Sequence, residues 1–385
     1  MFLLSDEQQM LRETVAKLAQ ERYAPRALEW DRDGVSLPAD ERLYLSELGF
    51  LATSLPEEYG GGGRPLHDAL LVLEELAKAS QVAAWPVFEA CTGAARVIEL
   101  LGDPEQKTRF LPPVAAGQVT IAVAISEPDA GSAATDMRTS ARFEGDSVVI
   151  NGVKRWCSGA GRAEQYLVYA RFESESGAQG VGAVVVDSKS DGLTFGPDEE
   201  LMGFRGIGSA DIHFNDVRVP RENVIAQEGG FRKLFTAFSI ERIGNATMSL
   251  AIGQSALERT ASYVQARRQF GKPIIEYQMV QATLADMVMQ VDAARLLVYR
   301  AAIRAGRGAP DALEVSIAKC TANEMAKRVS DLAIQLHGGY GYSKEYEIER
   351  LHRDAHGWAL AGGTGNMQRI RIASEYLHRR FDQRA

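Results

Sequence analysis

The chain has 385 residues, 45% apolar and 24% charged, enough for two or three domains with sizeable cores. Forty-three basic against 51 acidic residues leave a net charge of −8, so no basic excess exists to neutralise a nucleic-acid backbone, and no apolar run reaches the roughly 18 residues of a membrane span. Cys91, Cys157 and Cys320 are far apart and odd in number, against a disulfide framework or zinc knuckle, and MFLLSDEQQ lacks a leader pattern; a cytoplasmic protein is expected.

Ser5 and Gln8 are spaced as a capping box, and Leu11, Val15 and Leu18 follow at helical spacing until Pro25. Further helices are expected at about 38–48, 65–80 and 84–101, with a short one after Asp103 and a glycine loop at 60–63. From TIAVAIS (120–126) the period shortens. ARFEGDSVVINGVKRW carries two hairpin-like turns, Gly145-Asp146 and Asn151-Gly152, and YLVYARF, VGAVVVD, LTFG and ADIHFNDVRV are further strands, about six or seven in all. After Gly229-Gly230 the helical period returns over about 231–266, 274–305, 310–337 and 366–380, a four-helix bundle. The expected fold is α+β: an N-terminal helical domain (1–118), a middle antiparallel β domain (119–230) and a C-terminal helical bundle (231–385). GVGAVV opens no helix and lacks G-x-G-x-x-G, so no dinucleotide-binding turn is read there.

Four stretches could carry chemistry. Ser126-Glu127-Pro128-Asp129-Ala130-Gly131-Ser132 follows an apolar strand, and its backbone N–H groups and serines could face one polar ligand; an ordinary strand-ending turn reads the same way. Trp156-Cys157-Ser158 could flank a flat ring or bury a core tryptophan. Arg267-Arg268-Gln269-Phe270-Gly271 ends a long helix, either as a cationic C-terminus or as an arginine fork for a pyrophosphate. Gln335 to Tyr342 and Gly362 to Gly365 let backbone approach something closely, or are C-cap loops; the six histidines show no metal spacing. Glu241 shares an apolar helical face with Leu234, Phe238, Met248 and Ile252. A carboxylate there is paired, for instance to Arg242 or Lys233, or it is used. Burial would raise its pKa toward that of a general base.

Taken in order, SEPDAGS, INGVKRWCSGA, GFRGIGSADIHFNDVRVP, the long ERIGNATMSLAIGQSALERTASYVQARRQFGKP stretch, QLHGGYGY and RDAHGWALAGGTGNMQR resemble the acyl-CoA dehydrogenase family across essentially the whole chain. The resemblance implies a bound FAD, with Ile125, Ser126, Gly131 and Ser132 lining flavin and thioester and Trp156 and Ser158 at the isoalloxazine. Cys157 takes a position usually held by an apolar residue. Arg267, Phe270, Gln335 and Gly339 would serve the FAD of a neighbouring subunit in a homotetramer, and Thr364 would contact the flavin, with Asn366 where many members have glutamine. Ser132 and Arg242 would touch substrate.

One departure is informative. Medium-chain members place their base in a tyrosine-glutamate-glycine-threonine motif, but Ala361-Gly362-Gly363-Thr364 puts Gly362 at the glutamate's position. The isovaleryl-CoA and long-chain branch carries the base on the long helix instead, where Glu241 stands. The resemblance therefore implies that Glu241 takes the α-proton of an acyl-CoA (or acyl-carrier-protein) thioester, that the Gly362 N–H stabilises the enolate oxygen, and that electrons pass to an electron-transfer flavoprotein. Competing readings are an enoyl-CoA reductase, a flavin monooxygenase or oxidase on the same fold, and a non-catalytic binding module. The first needs the same residues, the monooxygenase needs no base at Glu241, and the module needs neither cofactor nor base.

Overall fold

The computed structural model of the chain describes residues 4–172, 177–227, 229–381 and 383. It begins with seven helices: α1 (Asp6–Leu18), α2 (Ala27–Asp33), α3 (Ala39–Glu47), α4 (Leu66–Ala79), α5 (Gln81–Cys91), α6 (Ala94–Leu101) and α7 (Pro104–Ala115). The capping box forms as the spacing predicts: Gln8 N–H donates to Ser5 Oγ at 3.2 Å, and Ser5 N–H donates to Gln8 Oε1 at 3.1 Å. Pro25 does not end the helical run; a wide turn at Ala19–Tyr23 and a tight one at Ala24–Arg26 carry it into α2. The single helix expected at 84–101 is two, broken at Gly93, where an added Cβ would lie 2.2 Å from Glu89 Oε2.

Eight strands form the central sheet: β1 (Ile121–Ala124), β2 (Ser140–Glu144), β3 (Ser147–Ser158), β4 (Gln165–Phe172), β5 (Val181–Asp187), β6 (Leu193–Phe195), β7 (Ser209–Pro220) and β8 (Val224–Ala226). The order is β6-β7-β3-β2-β4-β5-β8, with β1 beside β4. Most pairings are antiparallel, but β4 runs parallel to both β1 and β2, so the sheet is mixed where antiparallel pairing alone was expected. Gly145-Asp146 turns the chain between β2 and β3, whereas Asn151-Gly152 is no turn. It lies inside β3 at a register shift, and Gly152 is there because a Cβ would come 2.7 Å from Thr139 Cα. Alternation divides the faces of β4 and β5. Leu167, Tyr169, Ala183 and Val185 join the core shared with the helices; Tyr166, Val168, Val184 and Val186 join a second core on the opposite face.

The remaining helices are α8 (Phe231–Ala266), α9 (Gln278–Ala305), α10 (Ala312–His337), the short α11 (Gly339–Tyr342), α12 (Ile348–Leu360) and α13 (Gly365–Tyr376). Sequence spacing missed α12, whose start has no capping side chain, and carried α13 four residues too far. Nor is α8 a striped helix: every residue from Ala237 to Gly253 is buried, because α4, α9, α10 and α12 pack around it. Among the described residues no helix is long and apolar enough to cross a membrane.

Candidate active site

The Ser126 turn hangs from a buried ion pair. Lys154 of β3 is fully buried, and its Nζ donates to Ile125 O and to Glu127 Oε1, both at 2.9 Å. Glu127 also accepts the N–H groups of Arg138 (2.6 Å) and Thr139 (2.8 Å). Burial alone would raise the Glu127 pKa; Lys154 and these donors outweigh it and hold it below the usual carboxylate range. Ile125 and Ser126 are half-buried beside this pair, and Gly131 and Ser132 lie exposed at the turn's far side.

Trp156 is presented, not packed. Between Lys154 and Cys157 the β3–β7 register slips, and Trp156 takes φ +62°, an uncommon conformation for a bulky residue. Its side chain is 53% exposed, with the Arg155 guanidinium 4.3 Å from the ring centroid and anchored on Asp211 and Glu199. Ser158 is half-buried, while Cys157 points inward and burial pushes its thiol up to about 12.

Arg267, Phe270, Gln335 and Gly339 meet in one cavity of about 700 Å³, whose described lining residues all fall within 263–345. Arg267 ends α8 in an extended conformation, and Phe270 stands 94% exposed at the tip of a two-stranded hairpin. His337 is a packed histidine, buried, bonded to Ala333 O through Nδ1 and stacked on Tyr263 with ring centroids 4.1 Å apart. A presented indole beside a polar turn suits a flat ring, and an open arginine-bearing cavity suits a pyrophosphate, so these residues fit the two ends of the FAD that the resemblance implies.

Glu241 and Gly362 converge. Gly362 has φ +65°, and a Cβ built on it would sit 2.8 Å from Glu241 Oε2. That oxygen is buried with no hydrogen-bond partner, and among the described residues Glu241 makes no ion pair. Of the two expected partners, Lys233 is exposed and Arg242 turns instead to the carbonyls of Gly362 and Phe235, 3.4 Å from each. Burial raises the Glu241 pKa to about 7, partly offset by the charges of Lys319 and Arg242. Glu89 of α5, also buried and with Oε2 unpartnered, is pushed well above the usual carboxylate range by its own burial and by Glu241.

The loop beside Glu241 is tied down by its carbonyls. Ala361 O accepts from Asn245 Nδ2 at 3.2 Å; Gly363 O accepts from Lys319 Nζ at 3.1 Å and Gln368 Nε2 at 3.0 Å. Asn323 links these donors, giving one N–H to Asn245 Oδ1 at 3.0 Å and accepting from Lys319 at 3.0 Å. Among the described residues no acceptor takes the N–H of Gly362 or Gly363. Two free backbone donors next to a free carboxylate oxygen can stabilise a developing oxyanion while a proton is removed. Thr364 caps α13, its Oγ1 accepting from Met367 N–H at 3.4 Å, and Asn366 is exposed two residues on.

A second cleft, about 1020 Å³, is lined by Phe235, Arg232, Arg371, Arg379 and Arg380 among others. Its Phe235 ring lies 5.8 Å from the Arg242 guanidinium, and Arg371 is the charge that most disfavours protonated Arg242 after burial. Sequence reading missed this cleft, although YLHRR near the end of an acidic chain was a visible basic cluster. It also missed Lys154, Asn245, Lys319 and Asn323: polar residues amid apolar helical or strand positions were the available signal.

Three family models cover most of the chain: the acyl-CoA dehydrogenase N-terminal domain over residues 5–118, the middle domain over 122–217 and the C-terminal domain over 228–377. A 3-(aryl)acrylate reductase of Clostridium sporogenes is 35% identical over 97% of this chain and 99% of its own length. The butyryl-CoA dehydrogenase structure from Megasphaera elsdenii superposes with a TM-score of 0.94 at 33% identity, covering 98% of this chain and all of that one. A chain solved in work on the electron-transferring flavoprotein of Acidaminococcus fermentans also has a TM-score of 0.94 at 33% identity, over 98% of this chain and 99% of its own.

Proposed function

This chain belongs to the acyl-CoA dehydrogenase family of FAD-dependent oxidoreductases, and on that premise we propose that it interconverts a saturated acyl-CoA and its α,β-unsaturated counterpart, with Glu241 as the proton-transferring group. The observation that carries the reading is the unpartnered Glu241 oxygen 2.8 Å from where a Gly362 Cβ would be, beside two N–H groups without acceptors. A thioester carbonyl placed against those N–H groups puts its α-carbon near the carboxylate. Glu241 then takes the α-proton while the donors stabilise the enolate oxygen. When bound, FAD supplies the acceptor for the β-hydride.

The chain's own residues do the holding. Ile125, Ser126, Gly131, Ser132, Trp156, Ser158 and Thr364 would frame the flavin ring, with Asn366 in the glutamine position. Arg267, Phe270, Gln335 and Gly339 would serve a second copy's FAD, which makes assembly and cofactor binding linked and favours a homotetramer. The arginine-lined cleft would take the phosphates of coenzyme A, leaving Arg242, with Ser132, to meet the thioester end. That arginine set favours coenzyme A over a carrier-protein thioester.

The reverse direction is supported by the reductase relative and by chemistry: a carboxyl titrating near neutrality can give the α-proton back as readily as take it. An electron-transfer flavoprotein is the expected electron partner, in keeping with the A. fermentans match. The test is anaerobic single-turnover bleaching of the bound flavin against straight, branched and aromatic acyl-CoAs. No bleaching with any saturated acyl-CoA, together with reoxidation of the reduced enzyme by an enoyl-CoA, would assign the reductive direction. Release of FMN or of no flavin on denaturation would contradict the cofactor reading.

A further inference from the structure

We propose that Lys319 is a positioning residue for the Glu241 site: its buried ammonium fixes the Gly363 carbonyl and supplies, without touching the carboxylate, the positive charge against which Glu241 is ionised. The inference rests on the reading of Glu241 as the base.

Lys319 lies in the N-terminal third of α10, and its side chain is fully buried. A buried ammonium is expensive unless its charge is answered. Its hydrogen-bond acceptors are Asn323 Oδ1 at 3.0 Å and Gly363 O at 3.1 Å, both neutral. Among the described residues no carboxylate comes within ion-pair distance of it, in contrast to Lys154, which sits 2.9 Å from Glu127. The opposite charge that acts on Lys319 is Glu241, and the influence is mutual: burial lowers the Lys319 pKa and Glu241 raises it, while Lys319 is the foremost group lowering Glu241. The two halves of the pair are thus coupled through space and not through a shared hydrogen bond.

That separation has a chemical consequence. A lysine bonded directly to the carboxylate would occupy the lone pairs that must receive a proton from carbon, and would depress its basicity. Held off by Asn323 and the Gly363 carbonyl, the ammonium opposes the desolvation that would otherwise leave Glu241 protonated, and Oε2 stays free. The same hydrogen bond holds the Gly363–Thr364 peptide, the unit directly after the two free N–H groups, so one side chain bears on both the base and the loop that carries the donors.

The other groups facing Glu241 do not replace it. Arg242 on the same helix is turned to the carbonyls of Gly362 and Phe235, and is itself disfavoured by burial and by Arg371 of α13. Glu89 from α5 and Tyr169 from β4 are buried, and burial together with Glu241 pushes both up, away from the charged form; neither supplies positive charge. Lys319 is therefore the cation whose loss moves Glu241 most.

The experiment is the pH dependence of single-turnover flavin bleaching in wild type, Lys319→Met and Lys319→Arg, paired with infrared titration of the Glu241 carboxyl band, identified by subtracting Glu241→Gln. Removing the charge should move the acid limb and the carboxyl band together to higher pH by about one unit or more, roughly a tenfold rate loss on the limb; Lys319→Arg should leave the limb near its wild-type position. A Lys319→Met enzyme slower at every pH, with limb and band unmoved, would reduce Lys319 to a structural lysine and overturn the proposal. Should neutral variants fail to hold flavin, wild-type protein decides: burial lowers Lys319 to about 8 and raises Glu241 to about 7, so a Glu241 carboxyl band still fully protonated at about pH 7.5, where the lysine is charged, contradicts a cation that keeps it ionised. The infrared readout reports Glu241 ionisation whether or not Glu241 is the base, so it separates failure here from failure of the functional reading, which Glu241→Gln tests by itself.

Discussion

Among the described residues two lysines are fully buried, Lys154 and Lys319, and the glutamates that answer them are arranged differently. In the sheet, Lys154 and Glu127 touch at 2.9 Å, and the pair's other bonds go to the backbone of Ile125, Arg138 and Thr139 and to Met137 Sδ, which together hold the Ser126 turn. Among the helices, Lys319 and Glu241 do not touch; the lysine bonds neutral oxygens and the glutamate keeps an oxygen free. A closed pair consumes its hydrogen-bonding capacity and holds structure. An open pair keeps charge balance but leaves the carboxylate able to react. The difference marks which buried carboxylate is architectural and which is available for chemistry, with no appeal to motif.

The largest effect expected from breaking this contrast is at Glu241. Glu241→Gln should slow single-turnover flavin bleaching by on the order of a hundred- to ten-thousand-fold. It should cost the fold less than breaking a touching pair, since no hydrogen bond or ion pair to Glu241 is lost among the described residues and Lys319, deprived of the charge that answers it, can release its proton; chemical denaturation of the two proteins side by side checks this. Lys154→Met should do the opposite. It strands Glu127 and should cost about 3–5 kcal/mol in urea unfolding, with flavin retention falling as the Ser126 turn loosens. The sign with pH follows from the lowered Glu127 pKa: the pair's contribution is present at neutral pH and is lost as pH falls through that depressed value, so the wild-type advantage over Lys154→Met should shrink in acid.

A smaller effect is expected at Gly362. Gly362→Ala forces a side chain onto φ +65° and a Cβ to 2.8 Å from Glu241 Oε2, at about 1–2 kcal/mol of strain and up to about a hundredfold in rate as the carboxylate is displaced. Moving the carboxylate to the loop therefore has to be tried as Glu241→Ala with Gly362→Glu, which first makes room. The smallest effect is at Cys157. Its buried thiol, pushed up to about 12, should resist alkylation in the native protein and react only on unfolding, as mass spectrometry would read directly.

Much of the layout was legible because its signals are local. The Ser5 cap, the change of period near residue 120 and the Gly145 turn each need only a few neighbouring residues. Asn151-Gly152 misled because a hairpin turn and a glycine admitting Thr139 look the same in sequence. Glu241 stood out as a carboxylate among apolar residues, but its neighbours did not: Asn323 meets Asn245 across 78 positions, and Lys319 reaches Gly363 across 44. Such contacts exist only once α8, α10 and the loop before α13 are packed. The same holds for the arginine cleft, whose lining runs from Ala178 to Arg380.

The central claim is that Glu241 removes the α-proton of an acyl thioester, and isotope exchange measures that step apart from hydride transfer. An acyl-CoA with α-hydrogens but no β-hydrogen, such as 3,3-dimethylbutanoyl-CoA, cannot be desaturated. Incubated with the FAD-loaded protein in deuterium oxide, it should exchange its α-hydrogens with wild type and not measurably with Glu241→Gln. Exchange at equal rates in both proteins would place the base elsewhere and contradict the account.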